Sequence, residues 1–124
     1  MIIKDEKHKI AIANALIDEY SRKILNSTME NSKSVMDIMR EQEIPMTSAY
    51  RRIKLLLDNK LIKVEKSLLT DDGKRYYLYR SAIKSVIINY IDGNLFLDIT
   101  PNIFDRPEDK LMQSFANIKE VRKS

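Results

Sequence analysis

Cysteine is missing from the 124 residues, which excludes disulfides and thiolate metal centres and points to an intracellular, cytoplasmic protein. Glycine occurs twice, too rarely for a phosphate-cradling loop. Both glycines follow aspartate, in Asp72-Gly73 and Asp92-Gly93, where turn formation accounts for them. Histidine occurs once, as His8. With Asp5 and Glu6 it offers nitrogen and oxygen donors, but a lone histidine in a charged, fraying N-terminal segment reads as solvated, so no metal and no other cofactor is expected. No apolar run reaches the length of a membrane span, and residues 1 to 8 lack the apolar stretch of a secretory signal, so no membrane partner is expected. Catalysis also lacks its usual material. There is no cysteine nucleophile and no histidine beside a serine and an acid, and the adjacent carboxylates Asp18-Glu19 and Asp71-Asp72 read as surface charge. The chain is not expected to be an enzyme.

What is present describes a folded, heavily charged chain: 44% of residues are hydrophobic and 32% charged, a balance that argues against disorder. The length suits one compact domain with an appended element. The net charge of +4 is unevenly spread. Residues 1 to 30 carry five basic and five acidic side chains and residues 81 to 124 six of each, whereas residues 31 to 80 carry eleven basic against seven acidic. The whole excess lies in the middle, where a local positive field would suit a polyanion, because each neutralised phosphate releases counterions.

Apolar residues at three- and four-residue steps (Ile12, Leu16, Ile17, Tyr20, Ile24, Leu25) predict one long amphipathic helix from Asp5 to about Thr28. Ser34 is a good N-cap for a short helix over about residues 34 to 41. Glu43, Ile44 and Pro45 break the pattern. Thr47 or Ser48 is the expected cap of a third helix over about residues 47 to 59, with Ala49, Ile53, Leu56 and Leu57 inward and Thr47, Arg51, Lys54 and Asp58 outward. Residues 61 to 69 and 75 to 80 predict a hairpin closed through Asp72-Gly73. A second hairpin, residues 86 to 91 and 95 to 99, turns at Asp92-Gly93 and sets Tyr90 by Leu95, Ile88 by Leu97 and Val86 by Ile99. Its apolar face calls for cover, and a subunit contact is expected there. Residues 101 to 105 read as a linker, and Pro107, Glu108 and Asp109 open a last helix with a stripe of Leu111, Met112, Phe115 and Ile118. The fold class is therefore mainly α with small antiparallel β-hairpins (α+β). The expected domains are residues 1 to 80 for DNA binding, with the hairpin at about 61 to 80, and residues 81 to 124 as a dimerisation extension.

A short helix, a turn and a second helix with a polar outer face form a helix-turn-helix, whose second helix enters the major groove. Thr47 and Ser48 bring hydroxyls, Tyr50 a phenol, and Arg51, Arg52 and Lys54 charge. Arg51 leads as a base contact, because guanidinium pairs bidentately with guanine. Tyr50 and Arg52 lie nearer the flanks, where contacts to phosphate or to the protein itself are more natural. In the following hairpin, Lys66, Lys74 and Arg75 suit the DNA backbone. Asp71 and Asp72 oppose this unless they form the turn and point away. The methionines Met29, Met36, Met39, Met46 and Met112 read as core packing, and Tyr76, Tyr77 and Tyr79 as packed strand residues.

The run YSRKILNSTMENSKSVMDIMREQEIPMTSAYRRIKLLLDNKLIKVEK, followed by TDDGKRYYLYRSAIKSVIINYIDGNLFLDI, resembles the archaeal ArsR-like winged helix-turn-helix transcription regulators over about residues 15 to 100. Its most specific part is IPMTSAYRRIKLLLDNKLI, similar to the family's turn, recognition helix and start of the wing. The resemblance implies homodimers on double-stranded operator DNA, usually as repressors. Metal-sensing members rely on residues this chain lacks. The sequence names no effector. Two other readings stay open: a winged helix used as a protein-interaction module, and a non-specific architectural DNA-binding protein.

Overall fold

The computed structural model of the chain describes residues 1 to 103. It is an α+β structure with helices α1 (Glu6–Ile17), α2 (Glu19–Ser27), α3 (Val35–Gln42) and α4 (Met46–Asp58). The strands are β1 (Ile2–Ile3), β2 (Ile62–Leu69), β3 (Arg75–Ser81), β4 (Ile83–Ile91) and β5 (Asn94–Pro101). The helix expected to follow Pro107 lies outside the described residues.

The single long helix predicted near the N-terminus is two helices. Periodicity continues across the break, but Asp18 leaves the helical region at φ −73°, ψ 123° and caps α2, its carboxylate accepting from the Ser21 amide and hydroxyl at 2.8 Å each. The same carboxylate receives both Arg52 nitrogens, Nε and Nη2, at 3.1 Å. The break thus turns α2 across α4. His8 is not solvated either: its Nε2 lies 3.0 Å from the carbonyl of Asn59 at the end of α4. The N-terminus does not fray, because Ile3 pairs with Leu97 and β1 becomes a strand of the second sheet.

Both later helices end in left-handed residues where glycine is usual. Glu43 at φ 53° lets the Ile44 amide reach the Met39 carbonyl at 3.1 Å. Lys60 at φ 61° lets the Leu61 amide reach Leu56 at 2.8 Å. Ile44 and Leu61, next in sequence, are buried, so the hydrophobic residue after each stop holds an unfavourable backbone in place. Ser34 caps α3 as expected, accepting from the Asp37 amide at 3.1 Å. At α4 the expected cap is replaced: Pro45 holds the N-cap position, and neither Thr47 nor Ser48 caps the helix.

Strands β2 and β3 form one sheet, bulged between Val64 and Lys66. Lys33, between α2 and α3, joins its β3 side through a bridge to Tyr79. The second sheet runs β1-β5-β4 and carries the expected register, Tyr90 with Leu95, Ile88 with Leu97 and Val86 with Ile99. Asp92 at φ 51° and Gly93 at φ 83° make its turn, as a type I′ hairpin requires. Only Ala82 separates β3 from β4. In the segment expected as a linker, Pro101 ends β5 and Asn102 closes this joint, its amide donating to the carbonyls of Met29 at 3.0 Å and Ser81 at 2.9 Å. One core holds Ile12, Ile24, Ile38, Ile53 and Leu56 together with Ile3, Ile83, Leu97 and Ile99, so residues on both sides of position 80 share it. Among the described residues no helix is long and apolar enough to cross a membrane.

Arg52, aided by the Ser21 amide and hydroxyl, holds the Asp18 carboxyl down to about 2. A carboxyl depressed on folding stabilises fully above its ordinary value of 3.8 and loses that contribution as pH falls through 2. Asp18→Asn keeps a capping side chain and removes the charge. Its expected cost is roughly 1–2 kcal/mol at pH 7, shrinking towards nothing near pH 2. Urea unfolding followed by circular dichroism across pH 2 to 7 checks this; a cost that does not change with pH would refute the role of the charge.

Candidate nucleic-acid interface

Three helical turns of α4 divide by face. Ala49, Ile53 and Leu56 are buried, while Thr47, Tyr50, Arg51, Lys54 and Leu55 are exposed. Because Pro45 offers no side-chain cap, the amides of the first turn have no acceptor within the helix, and such amides favour an anion. Among the described residues no hydrogen bond occupies the hydroxyl of Thr47 or Ser48, so both stay available beside those amides.

Arg52 is not part of the outward face. Its guanidinium is committed to Asp18 and lies 5.3 Å from the centre of the Tyr20 ring, with 24% of the side chain exposed. Of the two flank residues named from the sequence, Arg52 contacts the protein itself. Arg51, its neighbour, lines a groove of about 400 Å³ between α1 and α4, bounded by Ala11, Asn14, Leu55 and Asn59. Lys54 is 79% exposed, with Asp58 at 3.4 Å, a pairing across one helical turn that solvent largely screens.

The β2–β3 hairpin supplies the second part of the surface. Its tip is built by Thr70, whose amide and hydroxyl both reach the Lys74 carbonyl, at 2.8 and 3.2 Å. The Thr70 hydroxyl also donates to the Asp72 carboxylate. One of the two tip carboxylates is thereby engaged within the turn, while Asp71 is exposed. Lys66 and Lys74 are exposed, and Arg75 donates to the Ser67 hydroxyl at 2.5 Å. Arg80 instead anchors the base of the hairpin, bonding Glu65 at 3.2 Å and the Met29 carbonyl at 3.2 Å. Among the described residues no carboxylate pairs with Arg51, Lys66, Lys74 or Arg75, whereas Lys33, Arg40, Arg52 and Arg80 each have one. Of the cations between residues 31 and 80, Lys33, Arg40, Arg52, Lys54 and Arg80 are thus turned to acids, and a second set, Arg51 on α4 and Lys66, Lys74 and Arg75 on the hairpin, is not.

Between these two elements runs a groove of about 460 Å³, lined by Ser34, Val35 and Met36 from the start of α3, Tyr50 from α4, and Thr70, Arg75, Tyr76, Tyr77 and Tyr79 from the hairpin. It brings Tyr50 and Arg75 together and leaves Arg51 on the other flank of α4. The tyrosines expected to pack divide here. Tyr79 is half-buried, and burial pushes its phenol above the usual value, whereas Tyr76 and Tyr77 are exposed. Met36 and Met46 are likewise exposed and not core residues; Met39 packs on the core, and Met112 lies outside the described residues. Sequence reading missed Ser34, Met36, Tyr76 and Tyr77 as groove residues. Alternation gives no signal for them: Ser34 and Met36 lie outside the strand, and Tyr76 and Tyr77, adjacent in β3, would be assigned to opposite faces.

No model of a known protein family matches the chain, and no curated protein matches it in sequence, so the interface rests on its own chemistry.

The two adjacent arginines separate structure from surface. Arg52→Ala strips the partner from the Asp18 carboxylate and is expected to cost roughly 1–3 kcal/mol. Arg51→Ala should change stability by less than about 0.5 kcal/mol. Thermal melts of both variants check this, and equal losses would mean that Arg51 too is held by the fold.

Proposed function

We propose that the chain is a winged helix-turn-helix protein that binds double-stranded DNA in a sequence-specific manner and acts as a homodimeric transcription regulator, a repressor, in the cytoplasm. The observation that carries the reading is the segregation of cations: Arg52 and Arg80 are turned to acids that brace the helices and the hairpin base, while among the described residues Arg51, Lys66, Lys74 and Arg75 have no carboxylate partner and lie, with the solvent-screened Lys54, on the two elements that would meet a duplex. The order helix, bridge at Lys33, helix, helix, hairpin supports the wing assignment. So does the ArsR-like resemblance of residues 15 to 100, which is part of the proposal.

In this reading α4 lies in the major groove with Thr47, Arg51 and Lys54 towards the base edges, and the uncapped first turn of α4 with Ser48 holds a phosphate. Tyr50 and the hairpin cations Lys66, Lys74 and Arg75 follow the backbone. Arg52 contributes by keeping α4 in place through Asp18. No effector and no cofactor is part of the proposal.

Selection from random duplexes at two salt concentrations tests it. A palindromic site should emerge, with affinity falling steeply as salt rises. Arg51→Ala is expected to cost about 1–3 kcal/mol on the selected site and less on random DNA; Lys74→Ala should weaken both alike and lower the salt slope by about one. Salt-sensitive binding without enrichment would favour an architectural coat, and absence of binding an interaction module.

A further inference from the structure

Among the described residues strand β4 stands at an open edge of its sheet, because β5 is paired on both sides and β4 on one. Its outward backbone groups follow from the far side of β5. Ile99 exchanges both bonds with Met1, its amide donating to the Met1 carbonyl at 2.7 Å and its carbonyl accepting from the Met1 amine at 2.7 Å. Ile99 is therefore turned to β1, and Val86, opposite it on β4, sits in a pair that exchanges no bonds. Antiparallel alternation then points the amides and carbonyls of Val86, Ile88 and Tyr90 to the open side and those of Ile87, Asn89 and Ile91 towards β5. The two-residue turn closing on Ile91 and Asn94 requires the same assignment.

Natural edges are guarded by charge, proline or a bulge. Residues 86 to 91 contain no charge and no proline, and the one irregularity of the strand lies earlier, between Ile83 and Ser85. Ile87, Ile88, Tyr90 and Ile91 are all exposed, so apolar surface flanks the open backbone on both faces. We propose that two copies of the chain join along β4, antiparallel about a two-fold axis at Ile88, to make one six-stranded sheet.

Charge selects this register. Centred on Ile88, the pairing sets Val86 opposite the partner's Tyr90 and brings Lys84, the residue at the bulge, to the end of the seam where the partner's turn carries Asp92, so the one cation of the strand comes beside the one anion of its turn, twice in the interface. Centring on Ile87 sets Lys84 against Tyr90, and centring on Asn89 carries it past the turn; both leave the charges unmatched. The contact also closes at two copies, because the other edge of the sheet, β1, has two residues and is too short to template a strand. The inference gives the dimer proposed above its seam and does not depend on DNA binding.

With no native cysteine, single cysteines report the register directly. Sedimentation equilibrium at micromolar concentration should give twice the chain mass of 14.5 kDa. On mild oxidation Ile88→Cys should link two chains, since the axis sets the two Cα atoms about 5.5 Å apart. Ile91→Cys, roughly 20 Å from its own copy, should not. Ile88→Lys sets like charges opposite each other on the axis and should weaken the dimer at least about tenfold with an unchanged far-ultraviolet spectrum. A monomeric wild-type mass, equal linking of the two cysteine variants, or an Ile88→Lys chain that stays dimeric overturns the proposal. A monomer that binds DNA in a salt-sensitive way would sink the seam and leave the DNA reading intact; a dimer indifferent to DNA would do the reverse.

Discussion

The carboxylate of Asp18 holds three things at one point. It ends the continuity of the first helical stretch, starts α2 by accepting from the Ser21 amide, and grips the Arg52 guanidinium on α4 in a two-point bond. Tyr20 stacks against the same guanidinium, so the cation is enclosed from two directions. A planar fork bonded at two nitrogens fixes orientation as well as distance. The rotation of α4 about its own axis is thereby set, and with it which residues of α4 face out. The polar face that carries the proposed function is a consequence of an ion pair made within the fold.

The rest of the packing is consistent with that anchor. Left-handed stops at Glu43 and Lys60 place Ile44 and Leu61 in the core, which sets the short turn before α4 and the direct passage from α4 into β2. Arg80 and Glu65 then fix the root of the first hairpin, with 12% and 18% of their side chains exposed, while its tip stays in solvent. The hairpin is thus held firmly at one end only, which places Lys74 and Arg75 on the part least constrained by the core.

Much of this was legible in the sequence because it is local. The spans of α3 and α4, both hairpins and the pairing of Tyr90 with Leu95, Ile88 with Leu97 and Val86 with Ile99 follow from periodicity and turn chemistry over a few residues. What escaped depends on distant partners or on short elements. Apolar periodicity runs through Asp18 without a gap, and although aspartate is a favoured N-cap residue, the bond that makes the break worthwhile comes from position 52. The hydrogen bond of His8 spans to Asn59 and that of Asn102 to Met29, and strand β1 is too short to show alternation. Of the candidate site, residue types and outward positions on α4 were readable, but the inward turn of Arg52 and the groove formed by Tyr50, Met36 and Tyr77 exist only once α3, α4 and the hairpin are assembled.

The joint between the two sheets has a further consequence. Ala82 alone separates β3 from β4, the Ser81 hydroxyl donates to the Ile83 carbonyl at 2.7 Å, and Asn102 closes the corner from the other side. Such a joint has little slack. Two copies joined through their second sheets would hold their α4 helices at one separation and one angle, with no tether to lengthen. On B-form DNA one inserted base pair turns a half-site by about 35°, so the proposed dimer would treat spacing as part of the message: a site with intact halves and one base pair too many between them would be out of phase and read as a different sequence.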